Sequence, residues 1–393
     1  MPESRRPRIA LVITTWYEAS HADVLATGLI KGYDWGDQLI EPRVEVVSAY
    51  MEQRGISAKG RNKPDIGVDI LTEAGIPMYD TPAEALGAGH PGVNVDGVLI
   101  IGEHGDYEDN EWGQKLYPRR RLFDSVLSAM IATDTFVPVF NDKHLAWNWT
   151  DAKAMYDNAR RLGVPFMAGS TVPIAWRRPV GTEWPMDAPM TAIVGAGYGG
   201  FEVYGYHGLE GILSFTERRA GGESGVVEVR GYDGDRVGEG LSQLDPALVR
   251  AAVAAHPVDE ADIDSVIEKT DQVITFTHRD GLVSGLLLSS GLQSFSVAAK
   301  GPDHEVSAEL LLQGAPHSHF LFLGRGAETL FLTGEPPYPV ERTLLAGGII
   351  DHAVRNARGA FDEKAEHLDV AWTVPEHIPG TGIHLEPFRH ADS

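Results

Sequence analysis

The amino-acid sequence predicts an α/β protein with two domains: a doubly wound parallel sheet in its first half and an α+β domain with a mostly antiparallel sheet in its second. Three observations lead to this expectation. The 393 residues are too many for one ordinary core. Short β-branched runs alternate with helical patterns in the first half, as in βαβ units. After Arg177-Arg178-Pro179 the pattern changes to glycine-rich turns and successive strand-like runs.

The elements of the first half can be placed in chain order. The predicted strands cover residues 9–14, 44–50, 97–102, 136–141 and 164–168. The predicted helices cover residues 20–31, 65–74, 82–86, 119–133 and 150–162. Ser20 and Thr150 stand at the starts of two of these helices, where a hydroxyl can cap exposed backbone N–H groups. Because connections between parallel strands are right-handed, the helices should cover both faces of the sheet.

The second half reads as a sheet with helices at its two ends. The predicted strands cover residues 226–231, 273–278, 282–288, 295–299 and 306–312, and the predicted helices cover 205–217 and 339–356. We divide the chain into a first domain, 1–178, a substrate and oligomerisation domain, 179–365, and a tail, 366–393, that wraps the surface or reaches back to the first domain. An exposed face of the second sheet would favour a homo-oligomer.

Composition narrows the class of protein. The net charge of −23 would repel a phosphate backbone, so nucleic acid is not expected as a partner. The chain has no cysteine, which excludes disulfides, thiolate metal sites and a cysteine nucleophile. No apolar stretch reaches the length that spans a membrane, and the apolar run 9–13 is too short for a signal peptide. We therefore expect a cytoplasmic protein without a membrane partner.

Polar side chains follow three of the predicted parallel strands. The first strand leads into 14–21, which ends in His21; the third leads into 103–107, and the fourth into 141–144. Ligands of open α/β sheets bind outside the carboxyl ends of the strands, so these loops should meet at one edge. In the second domain, His207 and Glu210 lie one helical turn apart and would share a face.

One segment carries a family resemblance. Residues 137–146, with Asp142-Lys143-His144 at their centre, are followed by a helix and by the strand-like run 164–169. This stretch resembles the Glu-Lys-Pro segment, helix and sixth strand of the Gfo/Idh/MocA oxidoreductases, which pair a Rossmann domain with an α/β substrate domain. The resemblance implies that Lys143 is the catalytic lysine, that Asp142 and His144 replace the Glu and Pro, and that His207 is the second-domain histidine that acts with the lysine.

The resemblance also implies a nicotinamide cofactor, NAD or NADP, on a Rossmann-like first domain. We expect it to contact Thr14, Thr15, Glu52 and Glu103. The three positions of the family's glycine fingerprint hold Ile13, Thr15 and Glu18, where glycines would allow close approach to a pyrophosphate. A glycine-rich run at 195–200 lies in the second domain without the βαβ unit that a dinucleotide loop requires.

Histidines and carboxylates in the converging loops form a candidate metal site. Imidazole and carboxylate ligands suit Zn²⁺, Mn²⁺ or Fe²⁺. The candidate ligands are His21, His104, His144, His207 and Glu202. The structural alternative, histidines that cap helices or bond backbone carbonyls, stays open.

A further set of side chains is expected to contact the substrate. Aromatic faces bind sugar rings, and a guanidinium can clamp a carboxylate or phosphate. The candidates are Tyr107, Trp147, Arg177 and Glu210. Packing between domains and solvated charge are the alternative explanations for these residue types.

Three functional hypotheses follow. The first is an NAD(P)-linked oxidoreductase that acts on a sugar, cyclitol or related polyhydroxy small molecule, with Lys143 and His207 in proton transfer. The second is a redox-neutral, metal-dependent lyase, hydrolase or isomerase on the same scaffold. The third is a ligand-binding protein without catalysis.

Overall fold

A computed structural model describes residues 5–35, 38–55 and 63–374 of the chain. Within these ranges, no helix is both long and apolar enough to cross a membrane. Residues 375–393, most of the predicted tail, lie outside the described part. The residues before them run along the second domain, where the amide of Val226 donates to the Leu368 carbonyl over 3.0 Å. This part of the predicted tail therefore packs on the second sheet.

The first domain contains a parallel sheet of six strands. They are β1 (Arg8–Ile13), β2 (Glu45–Met51), β3 (Met78–Tyr79), β4 (Gly97–Ile101), β5 (Val139–Asp142) and β6 (Phe166–Gly169). Their order in the sheet is β3-β2-β1-β4-β5-β6, with parallel pairing throughout. This is the order of the dinucleotide-binding fold, in which the chain reverses direction across the sheet between β1 and β4. The predicted Rossmann-like sheet is confirmed, and its ligand crevice lies at that reversal.

Helices cover both faces of this sheet. They are a π-helical turn, Ala22–Ala26, that continues into Thr27–Lys31, followed by Gly67–Glu73, Pro82–Gly87, Arg119–Thr133 and Trp149–Leu162. The last of these starts one residue earlier than predicted, because the Asn148 side chain caps it and accepts from the Asp151 amide at 2.9 Å. A short ribbon, Tyr33–Trp35 with Gln38–Ile40, was not expected from the sequence.

The second sheet has seven strands and is mostly antiparallel, as predicted. Its strands are β7 (Arg177–Arg178), β8 (Ala192–Gly197), β9 (Val226–Asp233), β10 (Thr270–His278), β11 (Val283–Ser289), β12 (Phe295–Lys300) and β13 (Glu305–Leu310). The order is β9-β10-β11-β8-β12-β13-β7. Only β8 and β11 pair in parallel. The glycine-rich run at 195–200 therefore begins inside a central strand.

Both faces of the second sheet are covered within this chain. Helices Tyr206–Thr216 and Glu341–Ala357 pack on the face toward the main core. The other face carries helices Val237–Ser242, Pro246–Ala254 and Ile263–Glu268, with short 3₁₀ turns at Gly234–Arg236 and Glu260–Asp262. The expectation of an exposed sheet face is wrong, because the apolar side chains of these three helices cover it. A homo-oligomer stays a prediction that this face does not support.

One helix after the second sheet returns to the first. Phe320–Thr333 buries Leu323 and Leu330 in the same apolar cluster as Ile9 and Leu11 of β1. Its buried Glu328 also forms an ion pair with Arg43, with a distance of 2.8 Å between Nε and Oε2. The segment just before this helix consequently lies close to the carboxyl ends of the parallel strands. The sequence did not predict this helix.

Candidate active site

Lys143 lies at the carboxyl end of β5, next to the reversal point of the parallel sheet. Its side chain is 1% exposed, and its peptide bond to His144 is cis. The Nζ atom is 3.4 Å from Glu103 Oε1 and 3.4 Å from the Val203 carbonyl oxygen. A buried ammonium needs such partners because desolvation disfavours a charge. Both domains supply them.

Glu103 follows β4 and is the anion of this buried cluster. It forms an ion pair with Arg119, which has no exposed surface, in addition to its contact with Lys143. Burial alone would raise the pKa of Glu103, but Lys143 and Arg119 outweigh that effect and hold the pKa well below its usual range. Glu103 is therefore ionised at neutral pH. The sequence did not single out Arg119, which is one of three consecutive arginines at a helix start.

His21 and Asp142 form a second polar pair at the same edge. The two atoms His21 Nδ1 and Asp142 Oδ2 are 2.6 Å apart, and the Asp142 side chain is buried. His21 immediately precedes the π-helical turn Ala22–Ala26, and π-helical turns are often found at functional sites. Its ring lies 5.3 Å from the ring of His104. The predicted convergence of the loops after β1, β4 and β5 is thus present in the structure.

The second domain covers this edge with another π-helical turn, Phe201–Gly205, and the helix Tyr206–Thr216. The carbonyl of Glu202 contacts His144 Nε2 at 3.0 Å. The His144 ring also lies against Tyr206, with ring centroids 4.1 Å apart. His144 therefore links the strand end to the covering segment.

His207 and Glu210 both reach Ser170, just after β6. His207 Nδ1 is 2.6 Å from Ser170 Oγ. Burial, followed by the positive charge of Lys143, holds the pKa of His207 well below its usual range, so its imidazole is neutral at neutral pH. Glu210 is fully buried and accepts from the Ser170 amide and from Thr343 Oγ1, each at 2.6 Å. Glu210 links these elements and does not face open space.

The loop after β1 satisfies its own backbone donors. Ser20 Oγ accepts from the amides of Tyr17 and Asp23, each at 3.2 Å. Asp23 Oδ2 accepts from the amide of Ala19 at 2.8 Å. Trp16 and Tyr17 are almost completely buried inside this loop. Three amides of this segment, those of Tyr17, Ala19 and Asp23, are thus bonded to protein side chains, whereas a glycine-rich loop would offer its amides to a pyrophosphate.

The other positions predicted to contact a cofactor are also occupied. Thr14 is buried and its Oγ1 donates to the Glu103 carbonyl at 2.7 Å, and Thr15 is 1% exposed. The Glu52 carboxylate accepts from Arg121 at 2.6 and 2.8 Å and from the Tyr107 hydroxyl at 2.8 Å. The acid that would hold a ribose is therefore already paired with protein groups.

Two predicted substrate contacts lie apart from the Lys143 cluster. Trp147 borders an open groove of about 700 Å³ that also contains Tyr117 and Arg121. Arg177 is paired with Glu183 at 2.9 Å and donates to the Pro173 carbonyl. Arg177 is thus engaged by residues close to it in the chain, because the partly exposed Glu183 carboxylate lies within its reach.

Solved structures support the fold. No protein-family model and no curated protein sequence matches the chain. GenD2 from gentamicin A biosynthesis, in complex with NAD, is similar with a TM-score of 0.58 and 15% identity over 92% of this chain and 97% of GenD2. A myo-inositol 2-dehydrogenase from Lactobacillus plantarum gives 0.55 and 12%, over 92% of this chain and all of its own.

A third similar structure is an oxidoreductase from Agrobacterium radiobacter in complex with NAD⁺, L-tartaric acid and magnesium. Its TM-score is 0.52 and its identity 12%, over 92% of this chain and 99% of its own. The TM-scores show a shared two-domain fold. At identities this low they show the fold alone, because a fold persists after functional residues have changed. The predicted fold class is confirmed, whereas membership of the Gfo/Idh/MocA family stays a prediction.

Proposed function

We propose that this chain is an enzyme that transfers protons on a polyhydroxy small molecule, with Lys143 and His207 as the acid and base. One observation carries this assignment: the buried Lys143 contacts the carbonyl of Val203, in the π-helical turn just before His207, and its charge adds to burial in lowering the pKa of that histidine. Titratable groups with such environments are concentrated at functional sites. The crevice also lies where open α/β sheets bind their ligands.

The surroundings of His207 and Lys143 suggest that the first acts as the base and the second as the acid. His207 is neutral, and in the tautomer whose Nδ1–H donates to Ser170 Oγ, Nε2 is the nitrogen that can accept a proton. Lys143 contacts the ionised Glu103 and, as an ammonium, can donate a proton. These two groups could together remove water from a polyhydroxy compound. His207 takes the proton from carbon, the carbon–oxygen bond breaks, and Lys143 protonates the departing hydroxyl.

A dinucleotide does not fit the first loop in the manner usual for this fold. The amides of Tyr17, Ala19 and Asp23 already have side-chain acceptors. The Asp23 carboxylate sits in the first helical turn, where its negative charge would repel a pyrophosphate. We therefore derive no hydride transfer step and place the reaction in a redox-neutral class, as a lyase or isomerase.

The substrate class follows from the neighbours and from the site. The similar proteins include a dehydrogenase of myo-inositol, a cyclitol, and a second enzyme from the biosynthesis of gentamicin A. A pair of proton-transfer groups in a buried polar crevice suits a compound with many hydroxyls. A sugar, cyclitol or sugar acid is accordingly our proposed substrate.

A nicotinamide-linked oxidation of the same substrates is the second candidate. It is favoured by the two similar structures that contain NAD or NAD⁺ and by the position of Lys143 at the end of β5. It would require the nucleotide to bind without the usual contacts of the β1 loop.

Deuterium incorporation separates the two candidates. The full chain is incubated in D₂O with a panel of sugars, cyclitols and sugar acids, with and without NAD⁺ or NADP⁺, and carbon-bound hydrogen is followed by NMR. We expect exchange or product formation without any nucleotide, and its loss in Lys143→Gln. Turnover that depends strictly on added nucleotide would favour the second candidate. Catalysis that Lys143→Gln leaves intact would refute both.

A further inference from the structure

We propose that His21, His104 and Glu103 bind a divalent transition-metal ion. One ligating atom from each of the three residues lies within 4.8 Å of the others. The residues come from the loops after β1 and β4, on either side of the reversal point of the sheet. The proposed ion would thus lie next to Lys143, which contacts Glu103.

The donor set matches a known coordination chemistry. Two imidazoles and one carboxylate, with a further position open, are typical of catalytic zinc sites and of non-haem iron sites. Metal–ligand bonds to these groups are about 2.0–2.2 Å long. Ligand atoms around one ion are therefore up to about 4.4 Å apart, so small side-chain rotations complete the site.

Asp142 acts as a positioning residue in this arrangement. Its Oδ2 engages His21 Nδ1 at 2.6 Å, which leaves Nε2 of His21 as the nitrogen for the metal. Histidine ligands commonly bond a carboxylate in this way, which fixes the ring orientation and increases ligand basicity. The Asp142 side chain is 1% exposed, and its Oδ1 has no hydrogen-bond partner among the described residues. A buried carboxylate of this kind is stabilised by a nearby cation.

One oxygen of the Glu103 carboxylate is less tightly held than the other. At this buried edge Glu103 forms an ion pair with Arg119 and lies near Lys143. Arg119 pairs with Glu103 Oε2, whereas Lys143 lies 3.4 Å from Oε1, longer than a strong charge-assisted hydrogen bond. Oε1 is consequently the oxygen that can turn to a metal.

The remaining histidines proposed from the sequence are engaged elsewhere. Nε2 of His144 contacts the Glu202 carbonyl, and Nδ1 of His207 contacts Ser170 Oγ. Neither belongs to the group of three. His207 instead retains the proton-transfer role, and the ion would polarise a substrate oxygen as a Lewis acid.

Metal binding can be measured without turnover. The full chain, purified without a histidine tag and stripped with a chelator, is titrated with Zn²⁺, Mn²⁺ and Co²⁺ by calorimetry, and the visible absorption of the Co²⁺ form is recorded. The variants are His21→Gln, His104→Gln and the double variant. His90→Gln is the matched control, because His90 is exposed and does not belong to the group of three. Circular dichroism verifies folding of each variant.

We expect one saturable site per chain in the wild type and in His90→Gln, weaker binding in each single variant and none in the double variant. Asp142→Asn should weaken binding roughly 10–100-fold and alter the Co²⁺ spectrum. No saturable binding in the wild type, or equal binding in the double variant, would overturn the metal site. Neither result would decide whether Lys143 transfers protons, because the deuterium experiment measures that role separately.

Discussion

The loop after β1 and the segment after β5 differ in the partners of their polar groups. After β5, Lys143 stands at the strand end and its ammonium is held by groups from both domains. After β1, by contrast, Trp16 and Tyr17 fill the loop, and Ser20 and Asp23 take up the backbone amides. The segment after β5 therefore presents a buried cation to both domains, while the loop after β1 binds several of its amides to its own side chains.

Under the proposed function, the scaffold of this chain would operate without the dinucleotide that its fold commonly binds. The strand order of the dinucleotide fold is intact, because it depends on apolar strands and helices. The pyrophosphate site depends on a few glycines and free amides, which can be lost without loss of the core. The proposed cation site, His21 with Glu103 and His104, lies at the edge where the nucleotide would be expected.

Removal of Lys143 should have the largest effect. Lys143→Ala deletes the proposed acid, and we expect turnover to fall about 10²–10⁴-fold, the range for general acid–base groups. Lys153→Ala is the control, since Lys153 lies on a helix surface and forms an ion pair with the exposed Asp157 at 2.7 Å. Initial rates on the best substrate of the panel measure both. Equal rates for the two variants would remove Lys143 from the mechanism.

The buried ion pair behind Lys143 should dominate stability. Arg119→Ala removes one of the cations that offset the buried negative charge of Glu103. Loss of one partner of a buried ion pair lowers the free energy of unfolding by about 3–5 kcal/mol. Arg120→Ala, on the next residue, breaks a surface pair with Asp124 and a 3.3 Å hydrogen bond to the Asp151 carbonyl, and should cost at most about 1 kcal/mol. Urea unfolding gives the two free energies of unfolding. Similar values would mean that Glu103 is not held as described.

The neutral state of His207 predicts a pH dependence. Its pKa in the folded protein is lowered, so between that value and the unfolded pKa of about 6.5 the unfolded state binds more protons. Stability is therefore full above about pH 6.5 and falls as the pH drops below it, by at most about 1.4 kcal/mol per pH unit for this group.

His144 and His319 contribute to the same trend, because burial lowers their pKa values too, that of His319 to about 3. His207→Gln should for that reason reduce the slope without abolishing it. Urea midpoints between pH 5 and pH 8, compared with the wild type, measure the change. An unchanged slope in His207→Gln would show that His207 is not held neutral.

The smallest effect is expected at the β1 loop. Asp23→Ala removes the acceptor of the Ala19 amide and should cost about 1 kcal/mol, as for a lost helix cap. Asp69→Ala, exposed in the first turn of another helix, should change the stability by at most about 0.5 kcal/mol. NADH binding to Asp23→Ala can be followed by fluorescence. We expect none, because Trp16 and Tyr17 still fill the loop, and binding of NADH would contradict that explanation.

Periodicity predicted those elements that bury one face. The helix Arg119–Thr133 has the predicted bounds, and β5 and β6 lie within a few residues of their predicted positions. Helix Phe320–Thr333 escaped prediction because it is buried on most sides and contains two glycines, so it shows no polar stripe. Strand β8 was obscured by Gly195 and Gly197, where a Cβ would meet Ile212 and Phe295 at 2.9 and 2.5 Å.

At the site, the sequence located the loops but not the pairings. The topology rule that ligands bind at strand ends brought Glu103, His21 and Lys143 to one edge. No local signal could predict that Arg119 pairs with Glu103 or that Glu210 reaches Ser170, because those contacts join distant parts of the chain. For the same reason, Arg177 was expected near the substrate although it pairs with Glu183.

Calorimetric titration of the full chain with NADH and NADPH tests whether the crevice next to the β1 loop binds a dinucleotide. If the β1 loop has given up the pyrophosphate site, neither nucleotide should produce saturable heat, with the chain folded and active on its substrate in the same buffer. Saturable binding of either nucleotide with about one molecule per chain, competed by the substrate or abolished in Lys143→Gln, would contradict a redox-neutral reaction at this crevice.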